Sequence, residues 1–116
     1  MDPVNLQRMR EVSMGDAEFM GELIDLYLED MPRQLEALRL AVEQHDAPSA
    51  AATAHRLKGS SGNVGADSLS SLCREIERSS QDNQFDQLPA LVEAADQESG
   101  RVRQFLLSVR QGAGEG

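Results

Sequence analysis

Tryptophan is absent from this chain, tyrosine occurs once and phenylalanine three times, which excludes a core built on large aromatic side chains. Leu, Ala, Val and Met supply most of the 40% apolar content, a composition that favours helices over sheets. Cysteine is represented by Cys73 alone, so an internal disulfide is excluded and a reducing compartment fits. Cations are scarce too: 11 Lys and Arg against 20 Asp and Glu give a net charge of -9. That balance argues against nucleic acid, whose binders must offer cations to displace counterions from phosphates. It also disfavours anionic membrane surfaces. No apolar run approaches the roughly 18 residues of a membrane span, and the N-terminus lacks the basic, then apolar, pattern of a signal peptide. The expectation is a soluble, cytoplasmic protein. One domain fits 116 residues, a length that buries about two-thirds of the surface its unfolded form exposes.

The residues that are present read as a series of amphipathic helices. Pro3 to about Ser13 carries Val4, Leu6 and Met9, with Pro at the opening turn. Asp16 is placed to cap a helix running to about Glu29, with Phe19, Met20, Leu23, Ile24, Tyr27 and Leu28 at helical spacing. Pro32 is expected to end or kink it, and Leu35, Leu38 and Val42 continue the pattern to about Gln44. After a turn at His45 to Pro48 comes a helix to Asn63, with Ala47, Ala50, Ala54, Leu57, Ser61 and Val64 in one stripe. Gly65 stops it, and Asp67 or Ser68 is placed to cap a helix whose inner face holds Leu69, Leu72, Cys73 and Ile76. The last helix runs from about Phe85 to Arg110, and residues 112–116 read as a flexible tail. Short turns between such helices imply an all-α antiparallel bundle.

His55 points away from the inner stripe of its helix. Its neighbours one turn away are Ala51, Ala52, Lys58 and Gly59, with Gly62 beyond them. Glycine inside a helix costs roughly 1 kcal/mol relative to alanine, so this clearing implies that something large comes close. Neutral imidazole is a nucleophile near pH 7, and Lys58, the only lysine in the chain, can neutralise phosphate oxygens during a group transfer. Other chemistries lack support. The glycines of 59–65 follow no predicted strand and lack the terminal Gly-Lys-Ser/Thr of a P-loop. Ser60 and Ser61 have no relay partners for a hydrolytic triad. Two histidines and one cysteine at scattered spacing match no metal pattern. His45 reads as a residue that interacts with the C-terminal dipole of its helix, and Cys73 as a buried apolar residue.

The run Ala54-His55-Arg56-Leu57-Lys58-Gly59-Ser60-Ser61, followed by Val64-Gly65-Ala66, Leu69, Leu72-Cys73 and Ile76-Glu77, resembles the signature of histidine-containing phosphotransfer (HPt) domains. The upstream Tyr27-Leu28-Glu29-Asp30-Met31-Pro32, then Leu35 and Leu38, is similar to the family's preceding segment. The resemblance implies an antiparallel four-helix bundle with an additional N-terminal helix over residues 1–111. It implies a stand-alone phosphoryl carrier of a multistep two-component relay, not an autonomous enzyme. His55 would accept the phosphoryl group on Nε2 from the aspartate of a sensor kinase's receiver domain and pass it to a response regulator's aspartate. Lys58 would face the phosphate, Gly59 would let the receiver close in, and Gly62 and Glu77 would support the site.

No cofactor is expected on this chain, with magnesium placed on the partner receiver, and the protein is expected to be a monomer. The charge of -9 works against an acidic receiver, so docking is expected to use an apolar patch, with Ala51, Ala52, Met20 and Leu23 as candidates. Two other readings are a phosphorylation-independent helical interaction module and the dimerising phospho-acceptor part of a histidine kinase. Retention of both His55 and Lys58 speaks against the first, and the absence of room for an ATP-binding domain against the second. Met1 and the glycine-rich end lead to the expectation of a complete gene product.

Overall fold

In the computed structural model, which describes residues 2–115 and the side chains of residues 2–112, all regular structure is helical. The elements are α1 (Leu6–Val12), α2 (Ala17–Glu43), α3 (Ala47–Asn63), α4 (Asp67–Gln81) and α5 (Leu88–Glu115). Asp16 caps α2 as its sequence position suggests, accepting from the N–H groups of Glu18 and Phe19 at 3.0 and 3.1 Å. Asp46 caps α3 through Ser49 N–H at 3.2 Å, with a proline in the first turn. Two other starts differ from expectation. Pro3 lies before α1, whose cap is Asn5 accepting from Arg8 N–H. The N-cap of α4 is Ala66, with no side-chain bond, and Asp67 instead forms an ion pair with Arg8.

The helix ends follow one rule. After α1, α2, α3 and α4 a residue with positive φ reverses the chain: Met14, His45, Gly65 and Asn83, at 57°, 53°, 78° and 56°. In each case that residue's N–H and the next one reach back to two of the last helical carbonyls, as in His45 N–H to Val42 O at 3.1 Å and Asp46 N–H to Ala41 O at 2.9 Å. His45 thus supplies a turn rather than a dipole contact from the last helical residue, and its ring stacks on Phe85 with centroids 4.6 Å apart.

Pro32 neither ends nor breaks α2, which runs on to Glu43. Its ring lies on the solvent side, while Ile24, Tyr27, Met31, Leu35 and Leu38 are buried on the other. Apolar burial on both sides of the proline therefore outweighs its missing N–H. Phe19, although spaced with the inward positions, is 41% exposed. The helix α5 continues past Arg110 to Glu115. Of the tail expected at 112–116, residue 116 lies outside the described residues and 113–115 outside the described side chains.

Helices α2, α3, α4 and α5 pack in a ring, each against the next, with α5 closing back on α2, and α1 touches α3 at one end. This is a four-helix bundle with an added N-terminal helix. Leu38, Leu57, Leu69, Ile76, Leu88 and Leu106 are fully buried along its axis, and Met9 of α1 plugs the end. Asn5 N–H donates to Gly65 O at 2.7 Å, which ties α1 to the α3–α4 turn. Two buried polar groups also fix the register of α2 against α3: Tyr27 Oη and Ser61 Oγ lie 2.8 Å apart, and burial pushes the tyrosine pKa up.

Candidate functional site

Helix α3 turns Ala50, Ala54, Leu57 and Ser61 into the core, which at about 100° per residue sends His55 outward toward α4. Its side chain is 68% exposed. Glu77 of α4 meets it there: Oε2 lies 2.9 Å from His55 Nδ1, while Oε1 accepts from Lys58 Nζ at 2.7 Å. The glutamate side chain is only 15% exposed. The hydrogen bond from Lys58 holds its carboxyl below the ordinary glutamate value, against the opposing effect of burial, with a smaller contribution from His55. An ionised carboxylate only accepts hydrogen bonds. Nδ1 therefore carries the proton, and in neutral imidazole the Nε2 lone pair points to solvent.

Lys58 does not stand free beside the imidazole; its ammonium is bound to Glu77, and the carboxylate lies between the two bases. The group nearest the imidazole is thus an anion. The contact between His55 and Glu77 spans 22 residues, and sequence spacing gives no access to it.

The small residues have different surroundings. A Cβ added at Gly59 would meet nothing within 4 Å, so the protein's own packing leaves that position open to an approaching partner. One added at Gly62 would lie 3.7 Å from Ser70 Oγ, in ordinary contact with α4. Ser70 also donates to Lys58 O at 3.0 Å, joining α3 to α4 beneath the site. Ala51 is half-buried and Ala52 exposed, both on the His55 side of α3. Met20 and Leu23 are not brought beside the histidine. Tyr27 lies level with Ser61, so a helical rise of 1.5 Å per residue places Leu23 and Met20 about 15 and 20 Å from His55 along the bundle axis. Met20 packs on the core.

Residues 22–111 match the sequence profile of the Hpt domain, which is most of the chain. The chain belongs to the histidine-containing phosphotransfer family. The HPt fold is equally evident in three dimensions. The crystal structure of histidine-containing phosphotransfer protein B from Pseudomonas aeruginosa PAO1 is similar, with a TM-score of 0.89 and 28% identity over 94% of this chain and 95% of that one. No curated protein matches.

The histidine of this HPt chain lines neither the groove between α2 and α5 nor the one between α4 and α5. A groove of about 780 Å3 runs between α2 and α5 over Met31, Leu35, Val42 and Val92, and it includes neither His55, Lys58 nor Glu77. Among the described residues no group of three or more His, Cys, Asp or Glu is arranged to hold a metal ion. Cys73 is buried, and desolvation pushes its thiol up to about 12, so it is no nucleophile at neutral pH. No helix among the described residues is long and apolar enough to cross a membrane.

Proposed function

We propose that His55 is the phospho-acceptor of a multistep relay, taking a phosphoryl group from the aspartate of one receiver domain and giving it to the aspartate of another. The observation that carries this reading is the pairing of an exposed Nε2 with an Nδ1 held by Glu77. In the forward step the Nε2 lone pair attacks phosphorus, the Nε2–P bond forms, the P–O bond of the acyl phosphate breaks, and the partner's aspartate leaves as carboxylate. The ring keeps its Nδ1 proton and becomes cationic as the bond forms, and Glu77 stabilises that charge while fixing the ring's orientation. The same contacts serve the reverse step, in which the ring is the leaving group.

Positioning and charge neutralisation dominate phosphoryl transfer, so one oriented imidazole on a rigid helix is enough from the carrier. Lys58 contributes in two ways: it keeps Glu77 ionised and adds a cation one turn from the transferring group. Gly59 leaves the approach clear. In this reading magnesium and the acyl phosphate belong to the receiver, and the protein is a cytoplasmic monomer and a protein substrate rather than an autonomous catalyst.

The test is transfer from a receiver domain phosphorylated with acetyl phosphate and magnesium. The wild type takes up an acid-labile, base-stable label, and His55→Gln takes up none. Labelling of the substituted protein at another residue would remove His55 from the mechanism.

A further inference from the structure

Charge is unevenly distributed around this bundle. Residues 47–81, which make up α3, α4 and their connection, carry four cations against three acids, a net charge of +1; the rest of the chain carries seven against seventeen, a net charge of -10. There is no acid within α3. The acids of α4 are accounted for: Asp67 pairs with Arg8, Glu77 holds Lys58 and His55, and Glu75 lines a separate groove between α4 and α5 together with Glu98. Arg56, Arg74 and Arg78 are exposed, and none of them forms an ion pair among the described residues.

Their placement follows from the contacts of the site. Arg56 adjoins His55 in the chain. Arg78 adjoins Glu77, whose carboxylate lies 2.9 Å from the His55 ring. Arg74 precedes Glu77 by three residues and shares its face of α4, with Cβ atoms about 5–6 Å apart. Three unpaired guanidinium groups therefore flank the imidazole on two helices.

We infer that Arg56, Arg74 and Arg78 form a cationic collar that steers and docks the phosphorylated, acidic pocket of a receiver domain onto His55. The inference rests on the phosphorelay reading and assigns its docking surface. An aspartyl phosphate is a dianion, and guanidinium groups fork onto phosphate and carboxylate oxygens with two parallel hydrogen bonds. Charges of this kind act over about 10 Å at 0.1 M salt, so the collar works locally even though the whole chain repels anions. It adds charged contacts to the expected apolar patch, of which Ala51 and Ala52 lie on the His55 side of α3 while Met20 and Leu23 lie farther along the bundle.

The experiment measures second-order transfer from a receiver domain phosphorylated with acetyl phosphate, at 20 and 300 mM NaCl. The wild type is expected to slow about tenfold between the two salts. The triple variant Arg56→Gln, Arg74→Gln, Arg78→Gln is expected to be about tenfold slower at low salt and nearly salt-independent, with its thermal midpoint held. Each single substitution gives about two- to threefold, a graded series that remains informative if the triple variant folds poorly. Arg103→Gln, which removes one guanidinium without an ion pair from α5, is the charge-matched control for the single substitutions and leaves the rate unchanged. A triple variant that transfers at the wild-type rate, or a wild type insensitive to salt, overturns the collar while leaving the relay intact. Failure of every receiver in a panel to label the wild type overturns the relay and the collar together.

Discussion

The two long sides of this bundle are built to different specifications. The side formed by α3 and α4 holds an exposed imidazole on a fixed carboxylate and bears a slight net positive charge. The side formed by α2 and α5 contains the larger groove, and α2 alone carries seven acids against two arginines. Apolar burial is shared by both, since every helix of the ring contributes to one core. What differs is therefore surface chemistry laid over a common scaffold, and this phosphoryl carrier places its histidine outside both grooves. It needs an accessible nitrogen, an acceptor for the opposite nitrogen, and cleared ground around both.

The largest expected effect is on the α3–α4 side itself. His55→Gln abolishes receiver-dependent labelling, while its unfolding free energy stays within about 0.5 kcal/mol of wild type because the side chain is 68% exposed. Denaturant titration beside the labelling assay checks both halves of that statement.

A second prediction concerns the turn that joins the two helices of that side. Gly65 has φ of 78°, and a Cβ there would collide with the Asn5 carbonyl oxygen, whereas the corresponding turns at Met14, His45 and Asn83 tolerate side chains. Gly65→Ala is expected to cost about 2–3 kcal/mol from left-handed strain and displacement of Asn5, and His45→Ala far less. Equal losses at the two turns, measured by chemical denaturation, would contradict this reading.

Third, Glu77→Gln leaves a side chain that still touches Lys58 and His55 but carries no charge. Hydrogen bonds to charged groups are worth about 1.5–3 kcal/mol, so transfer is expected to slow by roughly tenfold to a hundredfold. Stability has a pH signature as well. The Glu77 carboxyl is held below its ordinary value of 4.5, so its contribution is present above that pH and is lost as the pH falls toward the lowered, folded-state value. The stability gap between wild type and Glu77→Gln should therefore close on acidification below about pH 4.5. A gap that widens would place Glu77 outside the pair. The smallest effect belongs to the far side: Glu93→Gln, on the α2–α5 groove, changes neither transfer by more than about twofold nor stability by more than about 0.5 kcal/mol.

Much of this organisation is legible in residues with local consequences. Asp16 caps because its oxygen needs only the next two or three N–H groups, and Gly65 ends α3 because left-handed backbone favours glycine. Pro32 misleads because local rules price the missing hydrogen bond but not the buried residues on either side. Asp67 misleads for a similar reason, since its partner Arg8 is 59 residues away. The helical period places His55 outside the core, yet the opposite nitrogen's partner depends on the register between α3 and α4, which Ser70 and Glu77 set together. Met20 and Leu23 read as neighbours of the site only until Tyr27 and Ser61 fix how α2 slides along α3.

The position of His55 on an exposed helix face, outside both grooves, has a pharmacological consequence. Drug-sized molecules bind by burying most of their surface in a concavity, and a competitor of that kind finds little purchase on an exposed helix face. Blocking this carrier calls for something broader, such as a stapled helix or a macrocycle presenting carboxylates or phosphonates to the arginines around the imidazole.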